Sequence, residues 1–353
     1  MDLIEPITKA QVVAEIADAV ERGRRLLPVG GRTHLDRGEP SEIDAELSIA
    51  RLDRLVSYEP AEMIAVVEAG MRVGELSETL ARAGQEWAVD APPRATVGGV
   101  IASGTSSPRR LRVGHVRDTV LEVQLVTGDA RIVRGGGRTV KNVTGYDLPR
   151  LLTGSLGTLG VIVQVALKLR PRPAMRRTIV LDGSIEDATR ALATIPLAAA
   201  VLASPGRVEV LLEGWPEAVE EQTARARDAC AIRETFDDGP FPARAAWNER
   251  PVVAEASVPA GRIGSLAPSA GDAYGALIGV GTVWAGLRSS DGELSALRAR
   301  AAELGGIAPV IKGPGGLGAD LGFAPPAMEI HRRLKAAFDP TGVLAPGRFW
   351  GGV

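Results

Sequence analysis

Apolar residues along this chain alternate between helical and strand spacing. After Thr8, "KAQVVAEIADAVERG" places them at helical spacing and stops at Gly23, which predicts a helix with a cap at each end. "RLLPVGG" reads as a short buried strand entering a glycine turn. "EMIAVVEAG" reads as a strand, and "RVGELSETLARAG" as a helix closed by Gly84. Two alternating runs in "VLEVQLVTGDARIVR", joined through Thr127-Gly128-Asp129, predict a hairpin. "LGVIVQVALKLRPRP" is a long strand stopped by Pro171 and Pro173. The region 1–172 therefore predicts α/β structure with an antiparallel contribution.

A second rhythm follows the prolines. "RRTIVLDG" predicts a strand, "SIEDATRALATI" a capped helix, and "AAAVLAS" with "RVEVLLEG" a pair around Pro205-Gly206. "PEAVEEQTARARDACA" is a helix, "GALIGVGTVWAGL" a strand, "DGELSALRARAAELGG" a helix and "IAPVIKG" a strand. This repeated β-α-β order predicts a ferredoxin-like α+β domain over 173–326, with helices on one face of a sheet. Residues 233–272 are expected to be loops and short strands. The end, 327–353, predicts a helix and an extended tail, with Phe349 and Trp350 arguing that the tail is docked.

Composition narrows the classes. The chain is 45% hydrophobic and 24% charged with a formal net charge of −2, which fits a soluble globular protein and gives no field for nucleic acid. A single cysteine, Cys230, excludes an internal disulfide and a cluster held by this chain's cysteines alone. The start "MDLIEP" has no apolar core of a signal peptide, and no apolar run spans a bilayer. The expected location is the cytoplasm, with any membrane association made through partners rather than by direct insertion. His34, His115 and His331 share no metal-ligand spacing, and no G-x-S-x-G elbow is present.

Three glycine-rich segments carry the candidate chemistry. "PVGGRTHL" runs from a strand into Gly30-Gly31, a turn whose backbone N–H groups can bind phosphate, with Thr33 as an added donor. It lacks both the Walker and the G-x-G-x-x-G spacing, and alone such a turn is more often plain. "ATVGGVIASG" sets Gly98-Gly99 and Ser103-Gly104 in an apolar stretch, where bare backbone needs a reason. "GSLGTLGVIVQV" has glycines at 154, 157 and 160 followed by a strand rather than a helix. Arg109, Arg110 and Arg112 read as solvated or partner-facing, and Arg117 with Asp118 as structural.

In this order, the three segments resemble the FAD-binding domain of the vanillyl-alcohol oxidase / PCMH flavoprotein family. "KNVTGYDLPRLLTGSLGTLGV" and the ending "FDPTGVLAPGRFW" look like the family of glycolate oxidase E subunits. The resemblance implies an α+β fold: a PCMH-type FAD-binding domain of two subdomains over 1–172, a ferredoxin-like cap domain, and a C-terminal helix and tail that return to the first domain. It implies FAD held at the junction of the subdomains. Gly30, Gly31, Arg32, Thr33, His34 and Leu35 would cradle the pyrophosphate. Thr96, Val97, Gly98 and Gly99 would form a loop passing the diphosphate and flavin, with Ser103 and Gly104 as the following turn. Gly157, Gly160, Val161 and Ile162 would meet the adenine side. Lys141, Asn142 and Tyr146 lie near the flavin by motif position. Lys141 or Arg348 would be the cation beside the reduced flavin, with ordinary structural hydrogen bonding as the alternative. Ala345 stands where the family's ending has Asn. The glycines would let main chain approach FAD, where any Cβ would clash with the cofactor.

In some relatives a histidine directly after the paired glycines holds FAD covalently. Arg32 occupies that position here, so non-covalent FAD is expected. Region 173–330 contains no histidine, whereas related 2-hydroxy-acid dehydrogenases carry histidine-rich motifs there. The resemblance thus implies an FAD subunit of a glycolate oxidase complex. It would work with a catalytic flavin subunit and an iron–sulfur subunit on a small 2-hydroxy acid, glycolate or D-lactate. Two alternatives stay open: a self-sufficient FAD-dependent 2-hydroxy-acid oxidoreductase, and a flavin-free structural assembly subunit.

Overall fold

The computed structural model describes residues 2–105, 107–138, 145–289, 292–314, 328–349 and 351–353. The chain divides into two compact units: Met1–Ser107, His115–Arg172 and Ala324–Val353 form one, and Pro108–Gly114 with Pro173–Phe323 the other.

Among the described residues, the first unit has the strands β1 (Asp2–Ile4), β2 (Leu26–Val29), β3 (Ala45–Ser48), β4 (Leu55–Glu59), β5 (Ile64–Glu68), β6 (Gln85–Glu86), β7 (Val120–Val126), β8 (Ile132–Gly136), β9 (Val161–Lys168) and β10 (Arg170–Pro171). A parallel sheet has the order β1-β3-β2, and an antiparallel sheet the order β4-β5-β9-β7-β8; β6 pairs with β10. The helix Lys9–Arg22 joins β1 to β2 and buries Val12, Ile16 and Ala19, spaced three or four apart on one face. Thr8 and Gln11 cap its start reciprocally, and Gly23 ends it at φ 64°. Lys9 then ties this helix to the antiparallel sheet: its ammonium donates to Gln124 and Gln164, 2.9 and 2.6 Å away, which stand in register on β7 and β9.

The C-terminal helix Met328–Phe338 and its tail complete this unit. Leu344 bridges to Leu26 in parallel sense; Leu26 N–H donates to Val343 and Ala345 N–H to Leu26, each at 2.7 Å. A buried pair fixes the return. Lys335 Nζ lies 2.6 Å from Asp339 and also donates to the carbonyls of Thr158 and Leu344. Asp339 accepts the N–H groups of Val343 and Leu344.

The second unit holds strands β11 (Met175–Asp182), β12 (Ala198–Ser204), β13 (Arg207–Gly214), β14 (Ile232–Asp237), β15 (Val252–Ser257), β16 (Tyr274–Leu277), β17 (Thr282–Leu287) and β18 (Val310–Lys312). They form one eight-stranded antiparallel sheet of order β14-β11-β13-β12-β16-β17-β15-β18. It consists of two β-α-β-β-α-β repeats, one over β11–β14 and one over β15–β18, joined where β12 pairs with β16. The sequence predicts one such pattern. The second emerges because the irregular stretch 233–272 supplies most of β14 and all of β15, with a 3₁₀ turn between them, and because "GALIGVGTVWAGL", expected as one strand, is the hairpin β16–β17. Helices 185–194, 216–229 and 293–303 pack on one face of the sheet. On the other, Trp247 stacks on Trp284 with ring centroids 5.8 Å apart.

Segment Pro108–Gly114 corrects one expectation. Arg109 is 4% exposed rather than solvated, and its guanidinium pairs with buried Glu213 at 2.9 Å; Arg176 approaches the same carboxylate at 3.0 Å. One anion thereby holds an inserted segment in this unit. Glu213→Ala should strand these cations and cost about 3–5 kcal/mol in a denaturant titration that follows tryptophan fluorescence. A loss below about 1 kcal/mol would show that the pair is incidental.

Candidate cofactor site

The three glycine segments and the chain's tail meet in the first unit. Strand β2 ends at Val29 and delivers Gly30-Gly31. The segment expected as a loop at Thr96–Gly99 is instead the start of a helix, Val97–Ser103. Thr96 caps it by accepting the Gly99 N–H at 3.3 Å, and Gly104 closes it in the left-handed region at φ 64°. Leu156, Gly157 and Gly160 lead into β9. Together they wall an open groove.

Of the residues expected at a cofactor, Gly30, Gly31, Arg32, Thr33, His34, Leu35, Gly98, Gly99, Ser103, Gly157, Gly160, Val161, Ile162 and Arg348 line this groove. Thr96 and Val97 are buried behind it, and Gly104 is the helix cap. Tyr146 is 91% exposed and is not part of the lining. Lys141 and Asn142 lie outside the described residues. Sequence reasoning missed Pro28, Val29, Ile49, Ala102 and Leu156, which also line the groove. These are small or apolar residues with the same signature as core. Their one signal is adjacency: each lies within or next to a glycine segment, or at the end of β3.

The glycines also have a reason within the protein. A Cβ at Gly30 would strike the Thr96 hydroxyl, and one at Gly31 the Arg94 carbonyl. At Gly98 it would lie 2.8 Å from the Ala69 Cβ, and at Gly160 2.5 Å from the Leu125 Cδ1. Protein packing itself requires these bare positions. Gly99 differs: only the Thr96 hydroxyl, at 2.9 Å, lies near its missing Cβ.

Two arginines line the groove, in opposite states. Arg32 adopts φ 53° and forms a two-pronged pair with Glu46, with Nη1 to Oε1 at 2.7 Å. Its charge is already answered. Beside it the Thr33 hydroxyl and His34 Nδ1 are 2.8 Å apart. Arg348 is 8% exposed, donates to the Leu35 carbonyl at 2.8 Å and makes no ion pair among the described residues. Burial pushes its guanidinium below the usual value, while the nearby Asp36 charge opposes that shift. A buried cation with donors to spare, set among close backbone turns, fits an anionic diphosphate with flat rings at either end. The tail reaches the groove through Ala345 at φ 43°, a left-handed position that Asn tolerates better than Ala.

Comparison with known proteins agrees with this chemistry. Residues 3–136 match the FAD binding domain family. Over 313 residues the chain is 31% identical to glycolate oxidase subunit GlcE of Escherichia coli, covering 84% of each chain. It is 34% identical over 185 residues to a D-lactate dehydrogenase of Archaeoglobus fulgidus, and 28% over 222 residues to glycolate oxidase subunit GlcD of Bacillus subtilis. It spans 40% and 47% of those two relatives. A solved alkyldihydroxyacetonephosphate synthase superposes on 98% of this chain and 76% of its own at TM-score 0.72 and 15% identity, which shows the shared fold. Fold and groove define a PCMH-type FAD-binding flavoprotein. Within that class, the chain belongs to the family of the glycolate oxidase E subunit, and its cofactor is FAD.

Arg348→Met should raise the FAD dissociation constant of the apoprotein about ten- to a hundredfold, the loss of one charged hydrogen-bond partner. Arg32→Ala should change it only a few-fold. Titration followed by flavin fluorescence reads both, and the reverse ranking would make Arg32 the diphosphate cation.

Proposed function

We propose that this chain is the FAD-carrying subunit of a glycolate oxidase complex that oxidises glycolate or D-lactate to the 2-oxo acid and passes electrons to an iron–sulfur subunit. The observation that carries this reading is the 84% coverage of both chains in the match to the GlcE subunit, through both units of the fold. When bound, FAD supplies the two-electron acceptor. This chain's residues would hold it: Arg348 would meet the diphosphate, and the turns at Gly30–Gly31 and Gly98–Gly99 would bring main chain against it. Oxidation of a 2-hydroxy acid also needs a base for the hydroxyl proton and a cation for the carboxylate. Region 173–330 has no histidine to serve as that base, which favours a partner subunit as its source. Among the described residues no side-chain cluster suits a metal ion, and no helix is long and apolar enough to cross a membrane.

Arg32, rather than a histidine, directly follows the paired glycines, so the flavin is held without a covalent bond. Acid precipitation should release all yellow colour to the supernatant; a coloured pellet would contradict this. The isolated chain should carry flavin that glycolate and D-lactate leave oxidised under anaerobic conditions, with activity appearing on mixing with the partner subunits. Bleaching of the isolated chain by either acid would instead establish a self-sufficient enzyme. A chain that neither binds FAD nor needs it to restore the complex would be an assembly subunit.

A further inference from the structure

We propose that Thr96 is the positioning residue of the flavin groove and sets cofactor affinity without touching the cofactor. The residue is 2% exposed and is absent from the groove lining. Its hydroxyl oxygen accepts two N–H groups, each at 3.3 Å: that of Gly99, which it caps, and that of Gly31, 65 residues away in sequence. A hydroxyl has lone pairs for both. Gly30 has no side chain, which lets this oxygen sit directly against the turn. One atom thus registers the turn after β2 against the first turn of the helix Val97–Ser103, and residues from both line the groove. Main chain supports it from behind: Val97 N–H donates to the Met71 carbonyl and Gly98 N–H to the Ala69 carbonyl, so the helix end is fixed to the body of the unit. Elsewhere this turn is held through the Arg32 side chain on Glu46 and the Leu35 carbonyl under Arg348, while the Gly31 main chain is held by Thr96. Without that hydroxyl, the Gly31 main chain loses its register to the helix start, and affinity falls by the cost of restoring that register on binding.

The inference rests on FAD as the occupant of the groove. Its test compares the full-length wild type, Thr96→Val, which keeps the shape and removes the acceptor, and Thr96→Ser, which keeps the acceptor. FAD dissociation constants of the apoproteins are read by calorimetry, with apoprotein melting temperatures alongside. Thr96→Val should weaken FAD about tenfold or more, and Thr96→Ser should stay within about threefold of wild type, in line with the worth of one or two hydrogen bonds. A valine variant that melts lower yet binds FAD with unchanged affinity has lost a helix cap alone, and the inference falls. It falls equally if serine fails to rescue affinity. Should the valine variant not fold, Gly30→Ala serves in its place, because the new methyl would push the turn off the same hydroxyl; unchanged affinity there overturns the proposal. A wild-type chain that fails to bind FAD would remove the cofactor assignment itself, a separate outcome.

Discussion

The first unit depends on a buried ion pair. Lys335 and Asp339 are one helical turn apart, and between them they hold three segments: the C-terminal helix, the tail at Val343–Leu344, and the loop at Thr158. Burial pushes the Lys335 ammonium below its ordinary value, and the Asp339 carboxylate opposes that. The carboxylate is so closely surrounded that a Cβ at Gly128 would strike it. A pair this dry gains little net stability over an apolar substitute, but it admits only one arrangement of its partners. That arrangement puts the tail beside β2 and brings Arg348 to the groove.

The groove is assembled by chain packing against chain. Arg94, Ala69, Leu125 and Thr96 each approach a glycine more closely than a side chain would permit. The shape offered to FAD is therefore a by-product of how closely these segments lie together. The two groove arginines show the same economy: Glu46 occupies one, and the other is left with hydrogen-bonding capacity for an anion.

Much of this was legible from periodicity and punctuation. The helix from Lys9, the β7–β8 hairpin and β9 all follow patterns set by residues adjacent in sequence, as does the stop at Gly23. What could not be read depends on tertiary partners. Gly98 and Gly99 oppose helix propensity, yet a helix forms because Thr96 caps it and core contacts at Val97, Val100 and Ile101 outweigh the cost. Arg109 looks like a surface arginine until Glu213, 104 residues later, is placed beside it. The apolar groove residues Val29 and Ile49 are indistinguishable from core in sequence because only geometry separates a lined cavity from a filled one. The second repeat of the eight-stranded sheet was hidden by short turns rather than by weak strands.

The cofactor groove draws on Gly30 near one end of the sequence and Arg348 near the other. A chain leaving the ribosome has the glycine turns long before it has the buried cation, and contacts this distant in sequence close slowly. Synthesis order therefore separates shaping the groove from charging it.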